Sequence, residues 1–191
     1  MGEMAHTAGT TEQLVTVEEF DRMWDSGIIG PEDRVELIEG RLVRREPVNA
    51  PHASILLRMM HKLTRTLGDL AMVTPQLPIV ASERSKPFPD IALVRPRDDY
   101  YAAKLPVPDD VLAVIEVSHS RLRYDRGEKL RLYARVGVAD YWIVDVKKKR
   151  IELYRERHDL GYGSVTVAEK GGTVAFSAFP NIVFSVNELV G

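Results

Sequence analysis

Apolar positions along the chain recur at two periods, and the alternation between them outlines the fold. In "TVEEFDRMW", Val17, Phe20, Met23 and Trp24 recur at helical spacing behind a Thr16/Glu19 capping box. This predicts a helix that Asp25-Ser26-Gly27 ends. "RVELIEGRLVRRE" alternates instead, and reads as a hairpin turning at Glu39-Gly40. Pro51 opens a longer helix to about Leu67, with Ile55, Leu56, Met59, Leu63 and Leu67 on one face. Strand-like runs follow at 71–80 and 90–94, then a proline-rich surface loop over 95–110.

The second half carries a sharper pattern. "VLAVIEV" (111–117) is almost wholly apolar, as a strand covered on both faces should be. Asp125 and Glu128 are placed to cap a helix running to about Val136, with Gly137 ending it. "DYWIVDV" (140–146) is a further buried strand, so strand, helix and strand form a crossover with two adjacent parallel strands. Beyond Arg150, short strands with glycine turns extend the sheet, and Ser185 with Glu188 is placed to cap a last short helix. The predicted class is α/β, a mixed sheet with helices on both faces. Its length suits one domain over residues 14–191, after a loose polar tail over 1–13.

Composition narrows the chemistry. There is no cysteine, which excludes disulfides, thiolate metal sites and cysteine nucleophiles, and permits a cytoplasmic location. The N-terminus has neither the basic nor the apolar region of a signal peptide, and His6 stands where myristoylation needs Ser or Thr. No apolar run reaches the length of a membrane span. The net charge of -2 does not advertise nucleic acid, yet it hides a local excess. Arg121, Arg123, Arg126, Lys129, Arg131 and Arg135 crowd one stretch against Asp125 and Glu128, and residues 147–150 form a second basic cluster. Taken alone, both read as solvated surfaces.

Two apolar strands each carry one carboxylate: Asp90 in "PDIALV" and Glu116 in "AVIEVS". Burying an ionised carboxylate costs several kcal/mol unless a cation or donors compensate it. Either residue alone reads as a turn cap or an arginine partner. Together, from two strands, they offer the hard oxygens that Mg²⁺ requires. Strand parity sets Glu116 on the face of Leu112 and Val114, at the C-terminal end where open sheets bind ligands. Lys129 lies one turn into the next helix, with Tyr133 four residues on. An ammonium there serves to neutralise a phosphate or to orient a water. Glu36 is either a third acid or the wet face of the hairpin, and His52 shares the face of Ile55 and Met59. No glycine-rich phosphate loop or G-x-S-x-G elbow occurs, and the five histidines lack metal-site spacing.

The strings "RVELIEGRLV", "PHASILLRMMHKL", "PDIALV" and "VIEVSHSRLRYDRGEKLRLYARVGVADYWIVDV", in that order, resemble the Uma-type family of putative restriction endonucleases, assigned to the PD-(D/E)XK nuclease superfamily. The resemblance implies a restriction-endonuclease-like core of helix, three strands, helix and strand. It implies a metal-dependent DNA endonuclease using Mg²⁺ or Mn²⁺, with Asp90 and Glu116 as metal ligands and Glu36 assisting. Lys129 would complete the catalytic set, and His52 and Tyr133 would support it. Two residues after the acid, where the superfamily has lysine, this chain has Ser118; the lysine is then Lys129 from the following helix. Arg121, Arg123, Arg126 and Arg131 are the expected DNA contacts, and a homodimer through the β-rich tail follows by analogy with other nucleases. The alternatives are a catalytically silent nuclease-fold module that binds DNA or a protein, or an assembly protein that binds no nucleic acid.

Overall fold

The computed structural model describes residues 13–45 and 47–191. The tail expected over 1–13 lies outside them, apart from Gln13. Helix α1 (Val17–Asp25) starts on the predicted box: Thr16 Oγ1 accepts the Glu19 N–H at 3.2 Å, and Glu19 Oε2 accepts the Thr16 N–H at 2.8 Å. Strands β1 (Val35–Ile38) and β2 (Arg41–Arg44) form the hairpin. Glu39 and Gly40 turn it at φ of 51° and 80°, the left-handed pair that suits strand twist. Gly40 has a second reason to be glycine, because a Cβ there would lie 2.7 Å from that of Leu14.

Helix α2 (Ala50–Leu67) is capped by Asn49 and buries His52, Ile55, Met59, Leu63 and Leu67. It packs on a sheet of β3 (Met72–Pro75), β4 (Ile91–Val94), β5 (Val111–Ser118), β6 (Tyr141–Asp145), β7 (Arg150–His158) and β8 (Gly161–Ala168), in that spatial order. The β5–β6 pair is parallel, as the crossover requires, and the other neighbours are antiparallel. Side-chain parity then makes two cores. Ala113, Ile115 and Val117 join α2 on one face. Val114 joins Tyr133, Tyr141 and Ile143 under the crossover helix on the other. The chain closes with β9 (Thr173–Val174), β10 (Phe184–Ser185) and a short helix (Val186–Val190) against α2. Among the described residues no helix is long and apolar enough to cross a membrane.

Three expectations are corrected. The run 71–80 is strand only to Pro75, because Gln76 turns at φ 50° and the chain leaves the sheet. The segment that follows pairs with the hairpin instead, Lys86 N–H donating to the Leu37 carbonyl at 2.8 Å. The crossover helix is not capped at Asp125. It begins with an α turn, α3 (Leu122–Tyr124), widens into a π segment (Asp125–Lys129) and resumes as α4 (Leu130–Arg135). Asp125 and Lys129 are both buried by it, so of the two residues expected to cap the helix Asp125 points inward, while Glu128 stays exposed. Ser185 occupies the N-cap position of the last helix, α5, without a side-chain cap bond.

Candidate active site

Antiparallel register brings the two carboxylates together. Ile91 pairs with Ile115, so one step further along each strand Asp90 stands opposite Glu116. Asp90 is fixed by a short network: its Oδ2 accepts the Val117 N–H at 2.8 Å and lies 3.1 Å from His52 Nε2. His52 is delivered by the first turn of α2, where Asn49 Oδ1 accepts the His52 N–H at 3.0 Å. The N-cap of a helix therefore positions a side chain that touches the strand acid.

Glu116 is met from the other side by the crossover helix. Lys129 Nζ donates to Glu116 Oε1 at 2.9 Å, and Tyr133 OH donates to the same oxygen at 3.0 Å. Lys129 also lies 3.2 Å from Glu36 Oε2, which accepts the Phe88 N–H at 3.2 Å. The side chains of Lys129, Glu116 and Glu36 are 6%, 6% and 1% exposed. Glu36 is thus no wet hairpin residue; it faces the interior and shares the lysine. Such burial is tolerable because each charge has an opposite charge or a donor within reach.

In the cleft, carboxylates outnumber the ammonium of Lys129, and the electrostatics register it. The Glu116 carboxyl is pushed up to about 8: burial raises it most, Lys129 pulls it down, and Asp90, Asp125 and Glu36 add to the rise. Lys129 would lose basicity by burial, but Glu116 and Glu36 outweigh that and raise it, so it stays protonated. Burial also opposes protonation of His52, yet its bond to Asp90 and that residue's charge raise its pKa overall. Asp125 is raised by burial, against the pull of Lys129.

Asp90, Glu116, Lys129, Glu36 and His52 all line one cleft, together with Ser118, Asp125, Arg34, Arg45 and Arg121. Tyr133 lies behind it, fully buried. Ser118, where the resemblance would put a lysine, is buried beside Asp125. Of the basic residues singled out, Arg123, Arg126 and Arg131 are exposed. Arg121 donates to the Arg44 carbonyl at 2.7 Å and lies over the Tyr124 ring. Arg126 is held in a two-pronged ion pair with Glu152 on β7. Asp125, Arg34 and Arg45 are cleft residues that periodicity did not single out as such. For Asp125, its i, i+4 spacing to Lys129 was the available signal; for Arg45, at the end of a polar strand, there was none.

The donor set suits a hard divalent cation: carboxylates from two strands and the hairpin, in negative surplus, one with its proton affinity raised. Among the described residues no three His, Asp or Glu side chains form a ready-made cluster. A cation would therefore be held first by Asp90 and Glu116, with Glu36 brought in from its place beside Lys129.

Comparison with known proteins agrees with this architecture. No curated protein matches the chain. A solved structure, that of a putative nuclease belonging to DUF820 from Anabaena variabilis ATCC 29413, superposes with a TM-score of 0.70 at 16% identity, covering 92% of this chain and 97% of that one. This likeness establishes the shared fold. The family model Uma2, described as putative restriction endonuclease, matches residues 17–187. With nearly its whole length matched, the chain belongs to the Uma2 family of putative restriction endonucleases.

Proposed function

We propose that the protein is a metal-dependent DNA endonuclease that hydrolyses phosphodiester bonds. The observation that carries this reading is the meeting of Asp90, Glu116 and Lys129 at one cleft in a chain of this family. Asp90 and Glu116 would hold Mg²⁺ or Mn²⁺, with Glu36 assisting; such an ion supplies polarisation of the phosphate and a more acidic water. Lys129, kept protonated by its carboxylates, sets positive charge where the phosphoryl group gains negative charge. Tyr133 orients Glu116 through its hydroxyl, and His52 orients Asp90. In the reaction a water oxygen bonds to phosphorus and gives up a proton to solvent, one P–O ester bond breaks, and the leaving oxygen takes a proton from solvent. Arg121, Arg123 and Arg131 would meet the backbone of the DNA; Arg126, engaged with Glu152, contributes to the fold.

The test is cleavage of duplex, single-stranded and branched DNA with Mg²⁺ or Mn²⁺ by the wild type, Asp90→Ala and Lys129→Ala. Cleavage is expected from the wild type alone. No cleavage by any, or equal cleavage by all three, would sink the enzymatic reading. Ser118 in the lysine position favours a second reading, a silent module that binds DNA or a protein. Calorimetry separates the two, since DNA binding without any Mg²⁺ or Mn²⁺ binding selects the module. The homodimer proposal rests on Val165 and Val167, 58% and 44% exposed on the edge strand β8. Light scattering of the purified protein decides it: a monomer mass at micromolar concentration removes the proposal.

A further inference from the structure

The carboxylate side of the cleft is described above; its other side is cationic. Arg45 follows β2 and faces the same cleft as Glu36, Asp90 and Glu116. Its position is held at two points, and the second is itself anchored. The Arg45 N–H donates to the Arg34 carbonyl at 2.6 Å, its guanidinium lies 4.7 Å from the Phe88 ring centre, and Phe88 N–H is itself bonded to Glu36. The hairpin end is tied in turn to the loop after β5 through Arg121 and the Arg44 carbonyl. So held, Arg45 keeps its Nε buried with no hydrogen-bond partner among the described residues. A buried donor left unmade costs about 1–3 kcal/mol, more when charged, and such groups call for an explanation.

We propose that Arg45 is the phosphate clamp of this cleft, its guanidinium taking a non-bridging oxygen of the substrate phosphodiester through the donor that the protein leaves unpartnered. The inference rests on the reading of the cleft as a phosphodiester site and adds the group that grips the substrate. Arginine suits the role better than lysine because its planar fork meets phosphate oxygens with two parallel bonds. The carboxylates nearby do not serve as its acceptors, since Glu116 and Glu36 are engaged by Lys129. Burial lowers its pKa while Glu36, Asp90 and Glu116 raise it, so it answers to the same charges a bound phosphate would meet. Arg45 would touch substrate directly, whereas His52 and Tyr133 are positioning residues.

The experiment is binding of a 20-base-pair duplex, and separately of inorganic phosphate, without divalent metal, by wild type, Arg45→Ala, Arg45→Lys and the control Arg65→Ala, an exposed arginine on α2 outside the cleft. Arg45→Ala should weaken duplex binding roughly tenfold to a hundredfold and reduce the salt slope by about one, as loss of one phosphate contact does. Arg45→Lys, which keeps the charge but not the fork, should restore the salt slope and only part of the affinity. Circular dichroism and the melting temperature check folding; if Arg45→Ala does not fold, Arg45→Lys decides by showing reduced affinity or not. Arg45 variants with wild-type duplex and phosphate affinity would overturn the clamp while leaving the nuclease reading intact. Phosphate binding that depends on Arg45, with no DNA bound or cut by the wild type, would keep the clamp and discard the DNA substrate. A wild type that binds neither probe overturns both.

Discussion

Replacing Lys129 by methionine tests the charge arrangement at the heart of the cleft. The substitution keeps the side-chain length and much of its packing and removes only the ammonium. That ammonium stands 2.9 Å from Glu116 and 3.2 Å from Glu36, with all three side chains at most 6% exposed. At an effective dielectric constant of about 20, each contact is worth roughly 5 kcal/mol of gross attraction, most of it offset by desolvation. What remains after removing one partner is the cost of stranded charge, about 3–5 kcal/mol. This is a large share of the roughly 5–15 kcal/mol that holds a domain together. Glu116, at about 8 with the ammonium beside it, is pushed higher still without it, so the loss must grow as pH rises past that value. Urea unfolding in EDTA at pH 9.5 should show the full loss, a midpoint shift of about 2 M for a slope near 2 kcal/mol/M. At pH 7 the loss should be smaller by about 2 kcal/mol. Adding Glu116→Gln should recover part of the pH 9.5 loss. A loss under about 1 kcal/mol at pH 9.5, or one equal at both pH values, would refute the compensation argument.

Wild-type stability in EDTA should fall as pH rises from 6 to 8. Glu116, at about 8 when folded and near 4.5 when unfolded, holds its proton more tightly in the native state, so its contribution is present at low pH and is lost through that window. His52, also raised, acts with the same sign, and a urea midpoint that is flat or higher at pH 8 would contradict both assignments. Arg126→Ala should lower stability by about 1–3 kcal/mol, because it leaves Glu152 buried beside one fewer cation, while duplex affinity stays within about twofold. Parallel melting and gel-shift measurements check this; an affinity loss with no loss of stability would reverse the assignment. Gly40→Ala should cost at least about 1 kcal/mol through its positive φ and the approach of Leu14, read as a lowered melting temperature.

Much of the fold is written in local periodicity. The capping box at Thr16, the apolar face of α2, the two-sided apolar run of β5 and the crossover to β6 all follow from neighbours a few residues apart. Periodicity depends only on which side of an element a residue occupies, and it set Glu116 on the correct face. It also placed two strand carboxylates in apolar surroundings, which announced a site, and the family resemblance supplied Lys129. What lay beyond reach were choices made between distant segments. Glu36 alternates as a solvent-facing residue should, and is buried only because the chain after Gln76 leaves the sheet to cover the hairpin. Asp125 reads as a cap, and turns inward only because a π segment, with no sequence signature, widens the helix above the sheet. Arg126 reads as one more surface cation, and its fate is settled by Glu152, which β7 brings across from the far side of β6. The sequence by itself determined which elements form and which faces they bury, because those follow from short-range spacing. Only the tertiary structure decided which charges share the interior, because the cost of a buried charge depends on partners that folding, not proximity along the chain, brings within 3 Å.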